Sequence, residues 1–326
     1  MMRIKIENFP MILKSHFTIT GHTFTSSDTV RVTLEDKVIV GRGEGLGIFY
    51  KNESAASIIQ QLEQVRHSIH SGISFDDVQK LLPPGGARNA LDCALWDLDV
   101  KRNKTTIWNK LNIAPKKLVT VATIGIDTPN KMATAAQEYN QFPKLKIKLS
   151  NDAPIERLEA IRHARPDATL IVDVNQGWTF DELKKYTPAV KKLGIVMIEQ
   201  PLPRGADDVL EDYRSDVPLG ADESCLNLSE YESAALKYDV INIKLDKCGG
   251  LTEAMKIAKC ALHDGKGLMV GNMLGSSLSM APSYVIGQLC QFVDIDGPLF
   301  LKADIDDALT YSDGGVVSLP SQALWG

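Results

Sequence analysis

Eight short apolar runs, each closed by a polar residue, recur at nearly even spacing from residue 119 onward. They end at Thr123, Lys148, Asp173, Glu199, Asp222, Lys244, Asn272 and Asp296, and the steps between those ends are 25, 25, 26, 23, 22, 28 and 24 residues. Each step is the length of one strand plus one helix. The second run, Lys144-Leu145-Lys146-Ile147-Lys148-Leu149, alternates charge and aliphatic residue with the period of a strand, so its lysines share one face. Alone it would read as a solvated edge strand, and any of the others as a capped loop. Eight in register predict a parallel α/β barrel whose site lies at the C-terminal strand ends.

Such a barrel takes up residues 116–297 and leaves both ends of the 326-residue chain to something else. Segments 3–9, about 13–20 and 29–41 alternate like an antiparallel meander that folds back at Glu35-Asp36-Lys37, and helical periodicity follows over 53–70 and 87–98. Strands followed by helices predict an α+β capping domain over 1–115, completed by about 298–326. Gly41, Gly43, Gly45 and Gly47 lack the spacing of a nucleotide loop and read as a flexible or tight turn. The net charge of −5, without a basic run, argues against a nucleic-acid partner. The start has no apolar leader region and no run reaches membrane-spanning length, so a cytoplasmic protein without a membrane partner is expected. Five cysteines, none spaced as CxxC, indicate neither a disulfide framework nor a zinc site.

The chemistry follows from what stands at the strand ends. Asp173, Glu199 and Asp222 come from three successive strands, so their carboxylates converge at the barrel mouth. Three acids so close call for a cation, and all-oxygen ligands select a hard one, with Mg²⁺ the best fit. The competing reading is three helix N-caps, a position Asp fills often and Glu rarely. Lys148 precedes this acidic group and Lys244 follows it. A lysine near a metal ion and a second lysine has its ammonium form disfavoured, which moves it toward the range of a base near neutral pH. Two bases across a metal-bound carboxylate suit removal of a proton from one face of a carbon and its return to the other.

The ordered set Lys146-Ile147-Lys148, Asp173-Val174-Asn175, Glu199-Gln200-Pro201, Asp222-Glu223-Ser224 and Asn242-Ile243-Lys244 with Cys248-Gly249-Gly250 resembles the muconate-lactonising subgroup of the enolase superfamily. Gly41-Arg42-Gly43-Glu44 and the alanine-rich helix extend the resemblance into the cap. Asp294-Ile295-Asp296 is similar to the DxD of the dipeptide epimerases within it, the L-Ala-D/L-Glu members above all. The resemblance implies a (β/α)7β TIM-like barrel with an N-terminal α+β cap, one Mg²⁺ per subunit and a small dipeptide as substrate. It implies Lys148 and Lys244 as the acid/base pair and Asp173, Glu199 and Asp222 as metal ligands. It further implies Lys146 against the substrate carboxylate, Thr123 and Asn272 as substrate contacts, and Asp294 and Asp296 around the dipeptide's α-ammonium. Cell wall peptide turnover is the setting it suggests. A homo-oligomer is compatible with it.

Other readings explain less. Asp294-Ile295-Asp296-Gly297 resembles the nucleophile motif of haloacid-dehalogenase-type phosphatases, but 30 residues are too few for the rest of such a domain. A Schiff-base aldolase uses Lys244 and leaves three acids idle; a non-catalytic binding barrel does not need both lysines; o-succinylbenzoate synthase has no reason for the DxD. One departure bears on specificity. Glutamate-specific epimerases carry an arginine on the cap loop, whereas this chain has Thr20-Gly21-His22-Thr23-Phe24-Thr25 and no arginine between Arg3 and Arg31. His22 and Phe24 are thus the expected specificity residues, with reduced discrimination for Glu.

Overall fold

The computed structural model describes residues 2–326. Its N-terminal sheet is antiparallel, in the order β1 (Arg3–Ile19), β2 (His22–Asp36) and β3 (Ile39–Leu46). β1 runs through Pro10, where the sequence divides it into two segments. It does so because β1 is the sheet edge, where a missing N–H need not break a ladder bond; the pairing with β2 shifts register only between Ile12 and Phe17.

Gly41, Gly43 and Gly45 form no turn; they lie inside β3. Alternate residues of β3 press on α4 (Gly86–Arg102), and a Cβ on Gly43 would collide with the Ala90 carbonyl oxygen, one on Gly41 with that of Ala94. The glycines are there for close strand–helix approach. The helix expected over 53–70 is two, α1 (Ala55–Gln64) and α2 (Arg66–His70), separated at Val65, and α3 (Phe75–Leu81) follows. Val30, Val32 and Leu34 of β2 pack against Ile58, Leu62 and Leu91 of these helices as the core of this layer.

The second sheet has eight parallel strands in sequence order: Ala122–Ile124, Lys144–Lys148, Thr169–Asp173, Ile195–Glu199, Leu219–Ala221, Val240–Ile243, Gly267–Val270 and Phe292–Val293. Its two ends meet where the Val121 amide donates to the Val293 carbonyl at 2.9 Å, which curls the sheet into a barrel. Val121, Ile171, Met197, Val240 and Met269 form an apolar plug inside it. Two positions further along their strands stand Thr123, Asp173, Glu199, Asn242 and Gly271. The period of two thus sets polar groups directly above the plug, at the C-terminal mouth.

The tip of the β1–β2 hairpin closes over that mouth. Thr20 Oγ1 donates to the Leu149 and Val174 carbonyls at 2.9 and 3.1 Å, the Ile126 amide to the Thr18 carbonyl at 3.0 Å, and Ser27 Oγ to the Leu274 carbonyl at 2.7 Å. At the other end of the chain, Trp325 Nε1 donates to the Cys93 carbonyl and the Gly326 amide to Asp97 Oδ1, both on α4. Among the described residues no helix is long and apolar enough to cross a membrane. All five cysteines are free.

Candidate active site

A cavity of about 360 Å³ lies between the hairpin tip and the barrel mouth. Thr123, Lys146, Lys148, Asp222, Lys244, Asn272, Asp294 and Asp296 line its barrel side, and His22 and Phe24 its cap side. Asp173 and Glu199 are fully buried beneath the lysines. Register explains the convergence: Lys148 pairs with Asp173 and Asp173 with Glu199 across three adjacent strands, and Asp222 follows directly on the next.

Each acid meets a lysine. Lys148 Nζ is 2.6 Å from Asp173 Oδ2, and Lys244 Nζ is 2.6 Å from Asp222 Oδ2. Lys146 Nζ lies 2.8 Å from Asp294 Oδ2, 2.8 Å from Glu199 Oε2 and 3.1 Å from Asp173 Oδ2. The DxD acids face inward as a pair: Asn272 Nδ2 donates to Asp294 Oδ1 and Asp296 Oδ1 at 2.9 and 3.3 Å, and the Thr123 amide to Asp296 Oδ2 at 2.7 Å.

Lys247, Asn242 and Gln200 hold these acids in place, and the sequence assigned them no role. Lys247 Nζ, fully buried, donates at 2.6 Å to both the carbonyl and Oδ1 of Asp222. Asn242 Nδ2 donates to Glu199 Oε1 at 2.6 Å. Gln200 Oε1 accepts from the Asp222 and Ser224 amides at 2.9 and 3.0 Å, tying the end of one strand to the next. Gln200 and Asn242 stood in the motifs that carry the resemblance, without a role of their own; for Lys247 the signal was the spacing Asn242–Lys244–Lys247, an inward strand residue, its i+2 neighbour and one helical turn.

The electrostatics show an excess of acid. Burial works against ionisation of Asp173, but the ammonium groups of Lys148, Lys146 and Lys244 outweigh it and hold its pKa at about 2. Asp222, also opposed by burial, is kept well below the usual range by Lys244 and Lys247. Burial and the Asp173 carboxylate push Glu199 up to about 7, and burial with Asp222 and Asp173 pushes Glu223 up to about 8. Burial and Asp294 raise Asp296 well above its ordinary value. Burial opposes the charge on Lys244, yet Asp222 above all keeps its pKa above the ordinary value. This is opposite to the downward shift expected of a base, and the cause is the carboxylate 2.6 Å away.

As the side chains stand among the described residues, no group of three acids is arranged to hold an ion, because the lysine nitrogens lie between them. The donor set nonetheless fits a divalent cation. Six buried carboxyl groups (Asp173, Glu199, Asp222, Glu223, Asp294, Asp296) face four buried ammonium groups (Lys146, Lys148, Lys244, Lys247), so full ionisation of the acids would call for two further positive charges. Glu199 Oε2 is buried with no hydrogen-bond partner; Lys146 Nζ is close but not aligned to donate. Asp173, Glu199 and Asp222, all hard oxygen donors, are the residues that would hold Mg²⁺. When bound, the ion supplies positive charge that stabilises an enolised carboxylate.

A capped parallel barrel with buried lysines and carboxylates around one cavity defines an acid–base enzyme built at barrel strand ends. The chain belongs to the enolase C-terminal domain-like family, whose model matches residues 131–322. It is 38% identical over 317 residues to the L-Ala-D/L-Glu epimerase of Escherichia coli strain K12, covering 96% of this chain and 99% of that one. It is also 38% identical over 297 residues to the N-acetyl-D-glutamate racemase of a Pseudoalteromonas species, covering 90% and 94%. Among solved structures, an enolase family member from Agrobacterium tumefaciens with homology to dipeptide epimerases, bound to sodium and L-Ala-L-Glu, superposes with a TM-score of 0.97 at 37% identity over 100% of both chains. A dipeptide epimerase from Cytophaga hutchinsonii, complexed with Mg and D-Ala-L-Val, superposes at 0.91 with 26% identity over 97% and 92%.

Proposed function

We propose that this chain is a Mg²⁺-dependent dipeptide epimerase that inverts the α-carbon of the C-terminal residue by two-base 1,1-proton transfer. The observation that carries the reading is that Lys148 and Lys244, from strands separated by three others, line one cavity and each touches a different strand-end carboxylate. One lysine, neutral, takes the α-proton from one face; the other, as ammonium, donates a proton to the opposite face of the enediolate. The two lysines end the turnover with their protonation states exchanged, and exchange with solvent resets them. Lys146 pairs with the substrate carboxylate, and Thr123 and Asn272 hold the peptide. Asp294 and Asp296 receive the α-ammonium, as two acids at i and i+2 suit a cation. His22 and Phe24 face the side chain of the inverted residue.

The test is mass spectrometry of an L-Ala-X dipeptide library incubated with the protein and Mg²⁺ in D₂O. Deuterium at one α-carbon together with the inverted epimer is expected, with both lost on chelation and recovered on adding Mg²⁺ back. Absence of exchange in every dipeptide would overturn the reading. A second reading, racemisation of N-acylamino acids, is favoured by one feature: Asp294 already has a cation, Lys146 at 2.8 Å, and so does not require one from the substrate.

A further inference from the structure

The three strand-end acids are each held by one oxygen. Asp173 Oδ1 accepts from the Asn175 amide at 3.0 Å, Asp222 Oδ1 from Lys247 at 2.6 Å, and Glu199 Oε1 from Asn242 Nδ2 at 2.6 Å. Their opposite oxygens differ. Those of Asp173 and Asp222 accept hydrogen bonds from Lys148 and Lys244, whereas Glu199 Oε2 has only an ion-pair contact, Lys146 Nζ at 2.8 Å, that is not aligned to donate. Asn242 is therefore the one aligned donor to a fully buried carboxylate. Removing it would leave the carboxylate without an aligned hydrogen bond, held only by the Lys146 ion pair and less restrained about its last side-chain bonds.

The amide itself is precisely placed by packing and not by other hydrogen bonds. Asn242 is 1% exposed, and its Oδ1 also lacks a partner, so contact with an acceptor, Glu199, dictates which way the amide faces. The neighbouring strand end makes room for it with a glycine: a Cβ on Gly271 would stand 2.7 Å from Asn242 Oδ1 and 2.9 Å from Nδ2. Lys247 also clamps an acid, but it carries a charge that would itself repel a cation. Asn242 is neutral, so its effect on a cation is one of position.

We propose that Asn242 is a positioning residue for the cation: it holds Glu199 Oε1 and leaves Oε2 as the single oxygen that Glu199 offers. This rests on the Mg²⁺-dependent reading above. Groups that orient a metal-bound side chain typically change affinity 10- to 100-fold when removed.

The test is Mn²⁺ binding by calorimetry, without substrate, to the full chain and to Asn242→Leu and Asn242→Ser, with melting temperatures measured in the absence of ions. Leu keeps the volume and Ser keeps the room, so the two strain the fold for opposite reasons and either folded variant decides. Both are expected to bind Mn²⁺ roughly 10- to 100-fold more weakly, with KM for Mg²⁺ raised more than kcat is lowered. A purely structural role would lower the melting temperature and leave the Mn²⁺ Kd alone. A folded variant binding Mn²⁺ within about twofold of the parent overturns the proposal, since that lies outside the range expected for such a group. Failure of the parent chain to bind either ion would instead overturn the Mg²⁺ reading.

Discussion

Lys244 Nζ and Asp222 Oδ2 lie 2.6 Å apart inside the barrel mouth, so one of the two lysines proposed to move protons is tied to one of the acids proposed to hold the cation. Lys148 stands in the same relation to Asp173. In both pairs the acid's other oxygen is fixed by a donor of its own, Lys247 or the Asn175 amide. The two halves of the site are therefore built alike, and that likeness is what a reaction that must run in both directions across one carbon needs.

Replacing either lysine should accordingly separate the two half-reactions. Lys148→Ala and Lys244→Ala are each expected to lose epimerisation by about a thousandfold or more, the scale of a positioned acid or base. Each should still exchange the α-proton of one epimer with D₂O, and the two variants should prefer opposite epimers. Proton NMR of L,L and L,D dipeptides in D₂O reads this directly. Normal epimerisation by Lys244→Ala would rule out the two-base scheme.

Asp294 and Asp296 decide between the dipeptide and N-acyl readings. Burial opposes charge on Asp294 but Lys146 keeps it ionised, while Asp296 is driven toward protonation. A substrate ammonium would let Asp296 ionise beside Asp294; with an acetylated nitrogen Lys146 is the pair's one cation and that added attraction is lost. N-acetylation of a good dipeptide is expected to cost roughly 2 to 5 kcal/mol in kcat/KM, the scale for a buried charge that loses its partner. Equal kcat/KM for the free and acetylated forms would favour the N-acylamino acid reading.

How much of this was legible in the sequence depended on whether a residue's role is local. The eight strand ends were, because an apolar run closed by a polar residue is a property of each run and its spacing. Gly43 was not: its reason is the Ala90 carbonyl of a helix distant in sequence. Segments 3–9 and 13–20 read as separate because nothing local says that β1 is an edge, able to run through Pro10. Lys247 drew no role from the sequence, because only the barrel brings it against Asp222. The lysines' positions were legible; the direction of the Lys244 shift was not, since it follows from a distance.

A stability prediction comes from the seam between cap and barrel. Asp92 on α4 is fully buried; its carboxyl accepts from Gln79 Nε2 and from the Thr252 amide, both at 3.0 Å. Burial outweighs these bonds and the nearby Arg88, and raises its pKa from 3.8 to about 6. Between those values the folded chain holds a proton that the unfolded chain has released, so stability falls as pH rises through this window and the penalty is constant above it. Asp92→Asn removes the penalty and keeps an acceptor for Thr252. Its melting temperature relative to the parent should therefore rise between about pH 4 and pH 7, by several degrees on the usual scale for a few kcal/mol. Scanning calorimetry of both proteins across that range checks it, and a difference that shrinks with pH refutes it.

The last prediction concerns the side chain at the inverted carbon. His22 stacks on Phe49 with ring centroids 4.6 Å apart and 14° between planes, and Phe24 meets both edge-on at 4.4 and 5.7 Å. All three line the cavity, where the cap's carboxyl groups are Asp28 and Glu53. The cavity's lysines lie on the barrel side and already face carboxylates. This wall is not a loose loop, because the Thr20 hydroxyl fixes the hairpin tip to two barrel carbonyls. A glutamate side chain there would meet aromatic faces and acids instead of the bidentate partner an arginine provides. Discrimination for Glu should therefore be weak, with L-Ala-L-Leu, L-Ala-L-Phe and L-Ala-L-Gln all processed. Phe24→Arg should shift the balance toward Glu. The measurement is kcat/KM for these dipeptides against L-Ala-L-Glu. A preference for Glu beyond about a hundredfold, roughly 2.7 kcal/mol, would mean that a cation reaches the side chain from elsewhere and that the aromatic wall does not set the specificity.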